Sequence, residues 1–276
     1  MIEFFSYGFI NNAILTALIG SVSCGLIGTY IVSKRLVFIT GGITHASFGG
    51  LGIGYFLGIP PLLGAGIFGS LAALVVESLS AKKKVRVDSA IAMAWSFGMA
   101  TGIIFIFITP GYAPNLMSYL FGSILTVSSM DIWIMLILMV IILTMFLLFF
   151  RQIQFIAFDG DYARSLGVKV NLLNYVMIIL VALTAVLYIR VAGIILVLSL
   201  LTVPQNLAML LTNNFKKILY LSIIFGFIGS LSGLVMAWFL DIPSGAAIIF
   251  TLVLEYIIGS IAVKIGNFKK RRLSIP

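Results

Sequence analysis

Nine long apolar runs, separated by short polar connections, follow one another along this chain. A helix needs about 20 apolar residues to cross the hydrocarbon core of a bilayer, and each run is long enough or nearly so. The pattern predicts an all-α polytopic membrane protein with nine transmembrane helices, or eight if one run is re-entrant. The runs cover residues 8–33, 36–58, 62–80, 89–109, 130–150, 172–189, 193–211, 217–239 and 245–265.

The connection between the fourth and fifth runs contains a further apolar piece, Leu116 to Val127. Pro110, Gly111 and Pro114 precede it, and the piece is too short to span a bilayer. It predicts a short re-entrant or surface helix. At membrane depth such a piece is tolerated only against protein or a water-filled cavity.

Lysine and arginine cluster in alternate connections, and this asymmetry predicts the orientation. By the positive-inside rule the basic connections are cytoplasmic, which places the N-terminus outside. The opposite connections carry almost no lysine or arginine, with Arg190 as the exception. The basic clusters are Lys34-Arg35, Lys82-Lys83-Lys84 with Arg86, Arg151 to Lys169, Lys216-Lys217 and Lys269 to Arg272.

Composition supports the membrane class. The chain is 62% hydrophobic and 9% charged, with a mean hydropathy of +1.22, whereas about a quarter of the residues of a soluble domain are charged. Residues 1–276 are therefore interpreted as one transmembrane domain. The net charge of +9 comes from short helix flanks suited to anionic headgroups, so no nucleic-acid partner is expected.

Small residues recur at four-residue intervals in the second run, which predicts a helix stripe without side-chain bulk. Such a stripe lets another helix approach closely within a membrane. The one histidine of the chain, His45, lies on the neighbouring stripe with Gly41 and Gly49. Because an ionisable group at this depth is costly, His45 is expected to face protein or a polar pathway. The small-residue stripe consists of Gly42, Ala46, Gly50, Gly54 and Gly58.

The longest polar stretch runs from Arg151 to Asn171, on the predicted cytoplasmic side. Asp159 suits the N-cap of a short helix that Gly167 would close at the C′ position. An acid near the start of that helix and Arg164 near its end also suit the helix dipole. An ordinary amphipathic loop explains the same residues, so the residues alone leave both interpretations open.

Taken together and in order, several motifs resemble the permease subunit of the zinc, manganese and iron class of ABC importers. The pattern of that family's cytoplasmic coupling helix matches Phe158, Asp159, Ala163 and Gly167 in order and spacing. The other matching segments are Thr44-His45-Ala46 with Gly50, Tyr119 to Leu125, Gly193 to Val197 with Pro204, and Leu240 to Gly245.

The resemblance implies partners for this chain. It implies a homodimer whose two copies form one pathway, each docked on a cytoplasmic ATPase subunit through a coupling segment at about residues 151–171. It also implies an extracytoplasmic metal-binding protein, which Asp241 to Gly245 at the outer edge could contact, although a plain turn explains those residues equally. The chain is expected in the bacterial inner membrane.

No enzymatic activity is expected of the chain itself. It has no Gly-x-x-x-x-Gly-Lys-Ser/Thr phosphate loop, so ATP hydrolysis is expected on a separate subunit. No bound cofactor is expected either, because the metal ion would be cargo.

Two positions depart from the family pattern. The family usually carries an aspartate four residues before the histidine, where this chain has Gly41, so one half of an oxygen–imidazole pair is missing. The usual Pro-Ala-Ala run reads Pro204-Gln205-Asn206. Because a proline can free carbonyls toward a pathway, Gln205 and Asn206 become secondary pore candidates. The alternative is that they cap or pack a kink.

Glu255 lies near the middle of the last apolar run, where a carboxylate indicates a functional site. The hypothesis is that Glu255 supplies the missing negative charge to a metal pathway containing His45. Alternatively, Glu255 is protonated or bonds a neighbouring helix, and His45 makes only a packing hydrogen bond.

The predicted function is that of the permease in an ATP-driven importer of a divalent transition metal. Zinc is the expected cargo because imidazole suits zinc, with manganese and iron as alternatives. The loss of the aspartate weighs against manganese, which prefers oxygen ligands. A secondary transporter driven by an ion gradient through a midplane His/Glu site is the alternative. An intramembrane enzyme has less support, since no serine is placed for nucleophilic catalysis with His45.

Overall fold

A computed structural model describes residues 8–81, 85–110, 124 and 127–273 of the chain. Within these residues every regular element is an α-helix, so the prediction of an all-α membrane protein is confirmed. The predicted piece from Leu116 to Val127 lies almost entirely outside the described residues. The helices are α1 (Gly8–Ser33), α2 (Val37–Leu57), α3 (Pro61–Ala81), α4 (Val87–Ile108), α5 (Ser129–Phe158), α6 (Gly160–Ser165), α7 (Val170–Leu200), α8 (Val203–Leu211), α9 (Phe215–Leu240) and α10 (Ser244–Leu273).

Eight segments of the described chain are long and apolar enough to cross a membrane, within the predicted range of eight to nine. Six of them lie in α1, α3, α4, α5, α9 and α10. The other two, Val170–Ile189 and Ala192–Leu211, are formed by α7 together with α8. Burial separates interior from peripheral spans. In the apolar stretch of α1, 78% of the residues are buried, whereas in α4, α5 and α10 the buried share is 22%. The helix α1 therefore lies in the interior, and the other three face outward.

The helix α2 has the length of a span but is not among those eight, because glycine, threonine and histidine dilute its apolar residues. Fourteen of its 21 residues are buried. It packs against α3, α4 and α7, so neighbouring protein rather than lipid surrounds most of its surface. A polar helix is tolerated at this depth when protein covers it.

Contacts without side-chain bulk bring α2 close to two neighbours. The predicted small-residue stripe contacts α4 near the start of α2 and contacts α3 farther along, so it has two partner helices rather than one. The reason is that each four-residue step passes a full turn by about 40°, so the stripe winds around the helix. The pairs are Gly42 with Ile91 and Ala46 with Gly98 on the α4 side, and Gly50 with Gly64 and Gly54 with Pro61 on the α3 side.

The last member of the stripe, Gly58, has a different role, so its assignment to helix packing is corrected. It ends α2 in the left-handed conformation at φ 67°, and its N–H donates to carbonyls of the last turn, Gly54 and Tyr55. A Cβ there would have open space within 4 Å among the described residues. Gly58 is needed for its backbone freedom rather than for a close approach.

The chain turns back within α7, at Gly193. This residue has φ 75° and ψ 162°, a conformation essentially restricted to glycine. Before it, α7 runs antiparallel to α1, and after it the chain returns along α1 in the opposite sense. The contacts that establish this are Lys34 Nζ with Asn174 Oδ1 at 2.6 Å, Tyr188 OH with Ser23 Oγ at 3.2 Å and Gln205 Nε2 with the Cys24 carbonyl at 2.8 Å.

The helix α5 extends beyond the predicted span of 130–150 to Phe158, so the first part of the polar stretch is helical. It is irregular at Phe149, where φ is −116° and ψ is 24°. Beyond that point Ile153, Ile156 and Ala157 are buried at helical spacing. Their burial explains the extension, because most helical stability comes from packing an apolar face.

The close approach of α2 and α3 generates a prediction about two glycines of α3. In Gly64→Ala the new methyl group meets the Gly50 backbone, which cannot rotate away, so the variant should lose about 2 kcal/mol or more of stability. Gly66→Ala is the matched control, since its Cβ meets open space among the described residues. It should be neutral or stabilising by up to about 1 kcal/mol. Thermal denaturation of the purified protein in detergent measures both, and equal melting temperatures would contradict the close packing.

Candidate metal pathway and coupling segment

His45 lies on α2 with its imidazole stacked on the indole of Trp95 from α4. The ring centroids are 4.1 Å apart and the planes differ by 4°. Trp95 is 41% exposed, and the His45 side chain is half-buried, so the pair lies at the edge of the protomer rather than in its core. The stacking holds the imidazole plane fixed.

The ring nitrogens of His45 make no hydrogen bond to any described residue, and Nδ1 is buried. A buried polar atom without a partner is unusual in a native structure and needs an explanation such as a water or an ion. The part of the chain that the structure describes contains no group of three or more His, Cys, Asp or Glu side chains that could hold a metal. Among the residues that the structure describes, His45 thus offers a nitrogen ligand without a cluster of further strong ligands around it.

Glu255 lies on α10 with its Oε2 atom buried and without a hydrogen bond to a described residue. The carboxyl group fits where α9 has no side chain, since a Cβ on Gly229 would lie 3.0 Å from Oε2. It does not lie beside His45, because α10 packs on α7, α8 and α9 whereas α2 packs on α3, α4 and α7. Within one protomer the helices of His45 and Glu255 therefore have different neighbours and share α7.

The two secondary pore candidates have different environments. Gln205 is fully buried, and its Nε2 donates to the carbonyls of Cys24 at 2.8 Å and Leu200 at 3.0 Å. It braces α8 against α1, while its Oε1 is buried without a hydrogen bond to a described residue, so its place in the pore stays a prediction. Gly28 leaves the space that the Gln205 amide occupies. Asn206 is exposed, and its Nδ2 donates to the Thr202 carbonyl at 2.7 Å.

The predicted coupling segment contains the short helix α6 with both ends closed as expected. Asp159 is confirmed as its N-cap, because Oδ1 accepts from the N–H groups of Asp161 and Tyr162, each at 3.0 Å. Gly167 at C′ has φ 78° and donates to the Arg164 carbonyl, while the next N–H reaches the carbonyl of Ala163. These two bonds form a Schellman motif. Ala163 is fully buried, so no larger side chain fits beneath the helix.

Comparison with known proteins identifies the family. Residues 6–263 match the profile described as the ABC 3 transport family, which covers most of the chain. The chain belongs to the ABC 3 transport family. The resemblance to ABC importer permeases that the sequence motifs suggest is thereby confirmed, and the interpretation as an ion-gradient transporter loses its support.

Individual relatives in this family match the chain over most of its length. An uncharacterized membrane protein, slr2045, of Synechocystis is 36% identical over 94% of this chain and 92% of its own. The manganese transport system membrane protein MntC of Halalkalibacterium halodurans is 32% identical over 90% of this chain and 85% of its own. The structure of PsaBC from Streptococcus pneumoniae in complex with Fab superimposes with a TM-score of 0.82 at 30% identity, covering 94% of this chain and 95% of that one.

Family membership and the apolar spans together define the location of the molecule. The chain is a multi-pass protein of the bacterial inner membrane and a transport subunit. Glu255 and Asn206 lie in segments apolar enough to cross the membrane, and His45 lies in the more polar helix α2. The helix α6 lies in the basic connection that the positive-inside rule places in the cytoplasm.

Two kinds of residue in the candidate site of this ABC 3 transport family chain were not identified from the sequence. Trp95 could not be identified from the sequence, because it lies on a different helix from His45 and only the fold brings the two rings together. The second kind is an apolar row on the coupling segment, where Phe158, Tyr162 and Leu166 are 60%, 53% and 51% exposed. Spacing alone could not have revealed this row, because the extended Asp159 separates Phe158 at the end of α5 from Tyr162 on α6, and Leu166 is the C-cap of α6. Exposed apolar rows of this kind mark protein-binding surfaces.

Proposed function

We propose that this chain is the permease subunit through which an ABC importer brings manganese into the bacterial cell. The observation that carries the proposal is His45, a stacked imidazole with a buried, unpartnered nitrogen at membrane depth in a family permease. Manganese has more support than zinc because the relative from Halalkalibacterium halodurans is named for manganese transport. The expectation of zinc rested on imidazole chemistry alone.

The exposed polar groups at membrane depth support a homodimer. His45 is half-buried and Asn206 exposed in one protomer, and polar groups are costly against lipid. A second copy across this face would enclose them and place two imidazoles along one pathway. Two half-sites would also supply the additional ligands that a single protomer lacks.

The coupling segment supports an ATPase partner on the cytoplasmic side. The four residues that match the family's coupling helix have different roles in this proposal. They are Phe158, Asp159, Ala163 and Gly167. Asp159 and Gly167 close the ends of α6, and the buried Ala163 seats it on the permease. Phe158 then belongs, with Tyr162 and Leu166, to the exposed apolar row that enters the ATPase.

The opposite end of the molecule supports a delivery protein. Asp241 is exposed at the end of α9, with φ 52°, at the predicted outer edge. An extracytoplasmic metal-binding protein docking there would hand the ion to the pathway.

His45 provides the main test. Proteoliposomes containing the permease with its ATPase subunits should accumulate radioactive manganese on addition of ATP and loaded binding protein. His45→Ala should lower the rate by at least about tenfold, because an inner ligand is lost. His45→Phe is the sharper variant, since it keeps a ring on Trp95 and removes only the nitrogens. Normal uptake by His45→Phe would mean that the residue packs and does not bind metal.

Glu255 is expected to contribute negative charge to the same pathway. Glu255→Gln keeps the size and hydrogen-bonding capacity of the side chain and should abolish manganese uptake at unchanged protein level. Gly229→Ala offers a steric comparison, because it crowds the carboxyl group without removing its charge. Uptake retained in Glu255→Gln would assign the carboxyl group to packing between α9 and α10.

The apolar row of the coupling segment gives an independent prediction about the ATPase. Leu166→Asp should weaken binding of the ATPase by about tenfold or more, since a charged group replaces an apolar anchor. Ser165→Asp is the matched control, being the neighbouring exposed residue on the same helix. Copurification and titration of the ATPase against both variants measure the difference. Equal losses would indicate a general charge effect rather than apolar docking.

A further inference from the structure

Three polar side chains interrupt the apolar span formed by the end of α7 and by α8. Ser199 lies in the last turn of α7, Thr202 lies at the break before α8 with φ −131°, and Asn206 lies on α8, so they follow one another at three- and four-residue spacing across that break. Ser199 and Thr202 are partly exposed and Asn206 is exposed. The span in which they lie, Ala192–Leu211, is apolar enough to cross a membrane.

Each of the three groups donates one hydrogen bond to the backbone carbonyl four residues earlier in the chain. Ser199 Oγ donates to the Ile195 carbonyl at 3.1 Å, and Thr202 Oγ1 donates to the Leu198 carbonyl at 2.7 Å. Asn206 Nδ2 donates to the Thr202 carbonyl at 2.7 Å. The side-chain oxygens accept no hydrogen bond from a described residue, so their lone pairs remain available to a ligand.

The segment that carries these oxygens contacts both the helix of His45 and the helix of Glu255. On one side, Leu198 Cδ2 would lie 3.8 Å from a Cβ at Gly41, one turn before His45. On the other side, Leu207 contacts the position of Gly259, one turn beyond Glu255. An apolar groove between Ile195 and Val253 continues this second contact along α10.

The exposed amide distinguishes this face from ordinary lipid-facing surface. A hydroxyl group bonded to its own helix is tolerated in lipid, as at Thr144 on the outward-facing α5, where Oγ1 donates to the Val140 carbonyl at 2.7 Å. An exposed amide with an unbonded oxygen is costly there, since hydrocarbon offers no donor. Asn206 therefore requires water, another protein chain or a ligand.

We propose that Ser199, Thr202 and Asn206 form a ladder of neutral oxygen ligands that carries a hard divalent cation from His45 toward the cytoplasm. The inference rests on the proposed function, of which it specifies the path and the ligand chemistry. At a helical rise of about 1.5 Å per residue, the seven steps from Ser199 to Asn206 correspond to about 10 Å, interrupted at Thr202, which is not helical. Manganese accepts such oxygens, and neutral ligands hold an ion weakly enough to release it to the next site.

Cysteine accessibility tests whether the face is an aqueous path, independently of the cargo. In a Cys24→Ala background, Ser199→Cys, Thr202→Cys and Asn206→Cys are treated with a charged methanethiosulfonate reagent in the assembled complex. Thr144→Cys is the matched control on α5. We expect labelling at the three ladder positions, slowed by added Mn²⁺, and no labelling at residue 144. Ladder positions as unreactive as residue 144 would overturn the proposal.

Transport tests the ligand role. Combined Thr202→Val and Asn206→Leu should lower ATP-driven manganese uptake by about tenfold, at unchanged ATPase copurification, because two oxygens are replaced by carbon. Thr144→Val should leave uptake unchanged. If the wild-type complex imports no manganese, the proposed function fails while accessibility still decides whether the ladder lines a pathway. If the wild type imports manganese and the double variant does so equally, the ladder fails alone.

Discussion

The close approach of α2 to α3 and α4 is the constraint on which the rest of the structure depends. Gly50 and Gly64 meet backbone to backbone, as do Ala46 and Gly98, so the three helices approach at these points with no side chain between them. Dispersion between closely packed backbones replaces the hydrophobic effect, which is absent between helices in lipid. The same packing surrounds α2 with protein and allows a glycine-rich helix with a histidine to exist at membrane depth.

The local features of the coupling segment were predictable because they depend on few neighbouring residues. Asp159 caps the N-terminus of α6, and Gly167 closes it in the left-handed conformation, as their types and spacing indicate. Gly58 and Gly54 show the limit of this reasoning. Both fit one four-residue repeat, yet Gly58 ends the helix, and only the position of Pro61 on α3 shows which glycine packs.

The pore candidates show why sequence alone could not assign the site. Gln205 and Asn206 are adjacent amides in one helix, but about 100° of helical rotation turns Gln205 to α1 and Asn206 outward. Nothing in the local sequence says which face meets α1. The pairing of His45 with Trp95, and the placement of His45 and Glu255 on helices with different neighbours, likewise depend on the arrangement of whole helices.

The connection between the coupling segment and the membrane core follows from a short chain of rigid contacts. The Schellman turn after α6 leads within three residues into α7, and Asn174 in the first turns of α7 accepts a hydrogen bond of 2.6 Å from Lys34 Nζ at the end of α1. Under the proposed coupling role, a displacement of α6 therefore reaches α1 and the first half of α7 together. The break at Gly193 separates this half from the segment that carries Ser199, Thr202 and Asn206. Movement driven from the cytoplasm can thus change the position of α1 relative to the polar face, and Gln205, which bonds to Cys24 of α1, is the contact that would limit it.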